Sequence, residues 1–414
     1  MTKINEVSTI LQTLLTTTAN ELAKKTGFIK RKRKLTGAAF SQALILGGLS
    51  KPQATRTEQN QHLSQAGIKM SVQGLEQRFT ESAVAFLRAL LQAVLTQLVM
   101  RRERIALLPQ FNGIYLIDCS RFTWGKIGFK LAVRWNLQTG QFEMDMLTLK
   151  QHDQKSQVVD NAMPPGALHL GDLGFFKLKR FAEWTTNGIY WLSRFKVGTQ
   201  VFTRDGHPLN LAEWLATCNT QVRLPIVMGI QTPVQCWLIA APLPEEAKAK
   251  RQARLKEEAR LDQRPISKQK QALAAFTIYV TNIEGLTFPQ AHGLARLRWQ
   301  IELLFKLWKS HVKVLDSRSA DPIRQQCEGY AKLIAAIVQH WIVLASEWSF
   351  LETRSLDALR IIRDHTILLL QAFRRPTLLA LFFDLVRNSL ATAPPPPKRG
   401  KDPSARQLWA TLFP

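Results

Sequence analysis

The sequence predicts an α/β core set between helical flanks. Three observations carry that expectation. At Pro109 the pattern changes from long helix-forming stretches to short apolar runs. Two of those runs, 114–119 and 167–171, deliver an aspartate, Asp118 and Asp172, where the run gives out. A further strand-like run at 276–282 then leads into residues 294–309, a helix-forming stretch that is apolar on most sides.

Composition bounds the rest. A chain of 414 residues with 46% hydrophobic content is long enough for two or three domains and for a sizeable core. Lys and Arg number 56 against 31 acids, a formal charge of +25 with pI near 10.3, which points to a polyanionic partner, nucleic acid being the commonest. A membrane surface would also attract such a chain. The most apolar late run, 333–345, is however interrupted by Gln339 and His340 and reads as too short to span a bilayer. Gln12 and Thr13, Thr16, Thr17 and Thr18 break up any signal-peptide core, so a cytoplasmic, nucleoid-associated location is expected. The four cysteines form no CxxC pair and suit free thiols in a reducing compartment. No Walker loop or GxGxxG occurs, so no nucleotide cofactor is implied.

Residues 1–105 read as a helical, basic, DNA-binding region. Lys30, Arg31, Lys32, Arg33 and Lys34 form a run between helical segments, either a solvated stretch or a set of phosphate contacts. Residues 57–66, Gly67 and a helix over 71–91 capped by Ser71 fit a helix-turn-helix that points Gln73, Gln77 and Arg78 at a groove. Gly74 within the second helix fits a plain helical hairpin as well.

Residues 106–196 form the first part of the core. Strands are expected at 114–119, 130–135 and 142–149, and in the last of these Phe142, Met144 and Met146 alternate with Glu143 and Asp145, which places the two acids toward solvent. Asp118 differs, because an aspartate ending a hydrophobic strand is poorly placed unless that end is a site. The strand at 167–171 brings Asp172 to a turn made by Gly171 and Gly174, where it either caps the helix over 175–185 or belongs to the same site. A strand at 189–195 follows. Residues 197–275 read as a β-rich insertion that ends in a charge-dense helix over 245–270, and 276–320 as the second part of the core. Residues 321–414 are helical to about Leu390, followed by the prolines at 394–397 and a basic tail with Lys398, Arg399 and Lys401.

Within 294–309, read as one helix, Arg298, Glu302, Lys306 and Lys309 fall in a single stripe. An ordinary ion-pair ladder accounts for that stripe at about 0.2–0.5 kcal/mol per step. A buried helix with one charged stripe can equally face a metal or an anion.

Asp118, Asp172 followed by Gly and Phe, and a helix with R-x3-E-x6-K together resemble the ribonuclease H-like core of bacterial insertion-sequence DDE transposases. The resemblance is to the subgroup with the Y-R-E-K signature and a β-rich insertion before the Glu, and it spans about residues 55–345. It implies metal binding and catalysis by Asp118, Asp172 and Glu302, and phosphate contacts from Arg298 and Lys309, with Lys306 beside them. The signature's Tyr falls at Ala295, so its contact with the DNA backbone is missing. The implied activity is cut-and-paste transposition with Mg2+, or Mn2+ in its place, on double-stranded DNA, by a dimer that pairs the element's terminal repeats and joins them to target DNA. A Mg2+-dependent nuclease on the same core and an inactive DNA-binding remnant are the alternatives. Trp299, at the edge of the charged stripe, either packs in the core or stacks on an unpaired base, a contact worth about 1–3 kcal/mol.

Overall fold

The computed structural model describes residues 3–31, 34–97, 108–263, 265–346, 355–373, 375 and 377–392. Lys32, Arg33 and the 394–401 tail lie outside them. The chain divides into two compact units: Met1–Ile105, Cys119–Gln151 and Glu302–Asp402 form one, and Ala106–Asp118, His152–Ile301 and Pro403–Pro414 the other.

The first unit begins with α1 (Lys3–Thr13), which runs through a π-helical turn at Leu14–Thr18 into α2 (Ala19–Lys25). Lys30, Arg31 and Lys34 are exposed between α2 and α3 (Gly37–Ser50). α3 starts where the Thr36 side chain accepts from the Ala39 amide, and it is buried along nearly its whole length. A capping box of Thr55 and Glu58 opens α4 (Arg56–Gln65). The single helix expected over 71–91 is two, α5 (Val72–Glu76) and α6 (Glu81–Leu95), because Thr80 takes an extended backbone and caps α6 through the Ala83 amide. Gln73 therefore lies on α5, with Gln77 and Arg78 in the connection, and no one helix carries all three.

β1 (Ile114–Trp124) continues past Asp118, where the sequence suggested it ends. Gly125, at φ +58°, turns the chain into β2 (Ile127–Asn136), and β2 pairs antiparallel with β3 (Phe142–Thr148). The register sets Arg134 opposite Glu143. Glu143 therefore does not point to water but accepts two bonds from Arg134 Nη2, at 2.6 and 2.8 Å, and one from Nε at 3.0 Å, neutralising a guanidinium that is only 2% exposed. Met146 is the exposed residue of this strand.

The second unit holds α7 (Gln157–Asp160), β4 (Leu168–Gly171), α8 (Leu178–Thr186), β5 (Tyr190–Arg194), β6 (Val201–Thr203), α9 (Leu211–Ala216), β7 (Val222–Met228) and β8 (Val234–Pro242). It continues with α10 (Glu245–Asp262), α11 (Lys268–Leu273), β9 (Phe276–Thr281) and α12 (Phe288–Leu297). The sheet order is β3-β2-β1-β4-β5-β9-β8-β7-β6, with β1, β4 and β5 parallel and the pairs from β5 to β6 antiparallel. The strands of 197–275 thus extend the sheet beyond β9. One face is packed by α8, where Phe181 stacks on Trp191 at 4.2 Å, and its core includes Leu238, Val280, Ile226 and Leu215.

The helix expected over 294–309 is interrupted. α12 ends at Leu297, Arg298 forms the junction, and α13 (Trp299–Ser310) follows. α14 (Pro322–Ser346), α15 (Ser355–Ala372) and α16 (Thr377–Thr392) complete the first unit. α14 is longer than the 333–345 run suggested: its 25 residues are long and apolar enough to cross a membrane, but 89% of its most apolar window is buried inside the protein, as in a core helix. α1, α3, α6, α15 and α16 pack around it. Gly329 of α14 lies so close to Trp124 that any Cβ there would overlap the indole ring.

Candidate active site

Asp118 and Asp172 come together through sheet register. β1 and β4 run parallel with Ile114 opposite Leu168 and Ile117 opposite Gly171. Continued by one residue, the same offset sets Asp118 beside Asp172 on strands about 4.8 Å apart. Parallel pairing stops there. The carboxylates therefore mark the end of the β1–β4 pairing rather than the end of β1.

Asp172 does not cap a helix. Its side chain makes no capping bond to the 3-10 turn Leu173–Phe175, and α8 begins later, at Lys177. The carboxylate is exposed and forms no hydrogen bond or ion pair within the described residues. Gly171 brings the backbone close to Ile117 and His169, leaving less space than a Cβ ordinarily occupies. Asp118 Oδ2 meets Arg298 Nη1 at 3.5 Å, both side chains being 18% exposed. That distance exceeds the about 2.7–2.9 Å of a strong charge-assisted bond. Arg298 thus offsets the Asp118 charge without saturating the carboxylate, and the helix break at this residue is where the guanidinium meets the strand.

In the first unit, Glu302 and Lys309 lie half-buried on α13 and Lys306 is exposed. Lys309 Nζ donates to Ser120 Oγ at 2.6 Å and sits 5.0 Å from the centre of the Phe122 ring. Trp299 is 57% exposed, which rules out the core-packing role. Sequence reasoning missed Ser120, because it ended the strand at Cys119; strand alternation from Asp118 selects Ser120 once β1 is known to continue. Among the described residues no group of three or more His, Cys, Asp or Glu is gathered to hold a metal ion. The donor chemistry nevertheless fits a hard divalent cation: two carboxylates in register on adjacent strands, one of them exposed and unpaired.

A mixed α/β sheet that brings two aspartates to the end of adjacent parallel strands, flanked by helices, has the ribonuclease H-like architecture of transposases. The Transposase DDE domain family matches residues 118–338, more than half of the chain, and the chain belongs to that family as a bacterial insertion-sequence DDE transposase. It is 28% identical to the transposase for insertion sequence element IS231C of Bacillus thuringiensis subsp. berliner, over 89% of this chain and 88% of that protein. It is 26% identical to the IS231F transposase of Bacillus thuringiensis subsp. israelensis, over 86% and 84%. With the IS1151 transposase of Clostridium perfringens the identity is 25%, over 80% and 79%. DDE transposase domains are in general dependent on divalent metals.

Proposed function

We propose that this chain binds the terminal repeats of its own insertion sequence as double-stranded DNA, cleaves there with Mg2+ or Mn2+, and joins the ends to target DNA, acting as a dimer that pairs two ends. The observation that carries this reading is the register of Asp118 beside Asp172, with the Asp172 carboxylate exposed and unpaired. Asp118, Asp172 and Glu302 would hold the metal, Glu302 being assigned by its place in R-x3-E-x6-K. Two such ions about 3.5–4 Å apart supply an activated water or 3′-hydroxyl and a stabilised leaving oxygen.

The chain's own groups do the rest. Arg298, already within reach of Asp118, holds a phosphate against the carboxylates and offsets their mutual repulsion. Lys309, positioned by Ser120, and exposed Lys306 supply further phosphate contacts. Trp299 offers its exposed face to an unstacked base. In the 1–105 region, exposed Lys30, Arg31 and Lys34 with Lys32 and Arg33 contact phosphates, and Gln73, Gln77 and Arg78 contribute to end recognition.

The test is purified protein with Mg2+ and the element's own ends, for wild type and for Asp118→Asn, Asp172→Asn and Glu302→Gln. Each variant should bind ends as wild type does and lose cleavage by more than the about 10–100-fold that outer-shell changes cost. Retained cleavage in a variant removes that residue from the site. Cleavage without joining defines a nuclease, and end binding without cleavage by wild type defines a DNA-binding remnant.

A further inference from the structure

The face of the sheet opposite the α8 core has a character of its own. Sheet register aligns Arg194 of β5 with Tyr279 of β9, Tyr279 with Ile239 of β8, and Ile239 with Arg223 of β7, one row across four strands. Strand alternation puts this row on the side away from core residues Leu238, Val280 and Cys236. In the adjoining row Trp237 lies opposite Pro225 and Thr281. The Arg223 guanidinium lies over the Trp237 ring at 3.6 Å, and that of Arg204, just beyond β6, at 5.3 Å. Stacking on an indole fixes the guanidinium plane while leaving its N–H edge available.

At the other end of the row, Tyr279 Oη is 2.9 Å from His292 Nδ1 of α12, and Arg296 follows one helical turn later. Arg251 of α10 donates to the Phe276 carbonyl at 2.7 Å, which holds it beside Arg194 and Tyr279. Burial first, then the charges of Arg296 and Arg194, hold the His292 imidazole below its ordinary pKa, so positive charge is already crowded there. The strands β5, β6, β7, β8 and β9 contain no Asp or Glu. Among the described residues Arg194, Arg204, Arg223, Arg251 and Arg296 form no ion pair with a carboxylate. Five arginines share a region with no acid of its own to offset them.

We propose that this face, from Arg194 through Tyr279 to Arg223 with Arg204, Arg251 and Arg296 around it, is a second binding surface for duplex DNA, gripping backbone phosphates away from the carboxylates. Arginine clustered without acids matches a phosphodiester backbone, and the three strand spacings between Arg194 and Arg223, about 14 Å, let the two guanidinium groups reach separate phosphates. The assignment rests on the transposase reading and adds to it where the DNA is held.

Full-length protein is titrated by fluorescence anisotropy with a duplex of the element's terminal repeat and with a random duplex, across a series of salt concentrations. Arg194→Gln/Arg223→Gln should weaken both duplexes and lower the slope of log affinity against log salt by about two, at about 0.9 per neutralised phosphate. Arg194→Lys/Arg223→Lys should keep most of the slope. Arg204→Gln, on an exposed loop, should lower it by about one and serves as the readout if the double variant melts early. An unchanged slope in the folded Gln variants overturns the proposal, as does a loss of self-association in sedimentation with DNA binding intact, which would make the face a protein interface. Wild type that binds neither duplex instead overturns the transposase reading itself.

Discussion

Replacing Arg324 with Met should be among the more damaging single changes in the first unit. The side chain is 4% exposed and its guanidinium serves three acceptors: Glu328 Oε1 at 2.9 Å, Gln59 Oε1 at 2.8 Å, and Glu76. It also lies 4.8 Å from the centre of the Phe79 ring. Removing it leaves the Glu328 carboxylate, 8% exposed, with only Gln59 Nε2 at 2.9 Å and Ser317 Oγ at 2.7 Å as donors. Breaking a buried pair from one side costs about 3–5 kcal/mol, and the two surviving donors put this case near the lower end. Against a total stability of about 5–15 kcal/mol, that loss is large. With a urea m-value of about 3 kcal/mol/M, the unfolding midpoint should fall by about 1 M. Because the network ties α4 and the end of α5 to α14, discrimination between terminal-repeat and random DNA should fall with it. A midpoint shift below about 0.2 M would refute the argument. Arg324→Met/Glu328→Leu should recover part of the loss, since an apolar pair leaves no charge stranded.

Trp299→Ala, at an exposed position, should change stability by less than about 0.5 kcal/mol yet slow second-strand processing more than first-strand nicking. A fluorescent base analogue beside the cleavage point would read this, and equal slowing of both steps with an unchanged base signal would count against stacking. Gln substitutions at Lys30, Arg31 and Lys34 should weaken specific and random duplexes alike and lower the salt slope by about 0.9 for each phosphate left without its cation, whereas Gln73→Ala and Arg78→Ala should reduce selectivity; unaltered selectivity would move end recognition elsewhere. Acidification should destabilise the fold through His340, whose pKa burial depresses to about 3 despite a backbone contact from Gly140. Between that value and the ordinary 6.5 the unfolded chain binds the extra proton, so stability falls by up to about 1.4 kcal/mol per pH unit as pH drops. Burial likewise depresses His62, which adds in the same direction. Urea midpoints at pH 7 and 5 for wild type and His340→Leu should show a smaller pH effect in the variant.

The aspartates were legible because a strand must announce itself by apolar residues, and a carboxylate placed where such a run gives out is conspicuous. What the run could not show was where pairing changes partner. β1 goes on through Ser120, Arg121 and Thr123, polar residues that read as a loop, because Phe122 and Trp124 between them are buried. The break at Arg298 was equally hidden. Nothing in Leu294, Leu297, Ile301 and Phe305 interrupts a helix, and the junction appears where the Arg298 side chain meets Asp118, a residue far away in sequence. Glu143 misled for a related reason: alternation assigns a face but not the partner across the strand, and Arg134 is that partner.

Charge followed the same logic. The stretch most crowded with basic residues in the second unit is α10, yet its Lys248, Lys250, Arg254 and Arg260 are each paired along the helix with Glu245, Glu246, Glu258 and Glu257. Such pairs are exposed and individually weak, but together they offset most of the helix's charge before any partner arrives. Arg194 and Arg223 stand singly in strands that contain no acid, so they drew no attention in the sequence. Only the sheet register sets them in one row, four strands wide, with their charge still available. For a chain of formal charge +25, where polyanion binds depends less on where basic residues are dense than on where the fold has kept acids away from them.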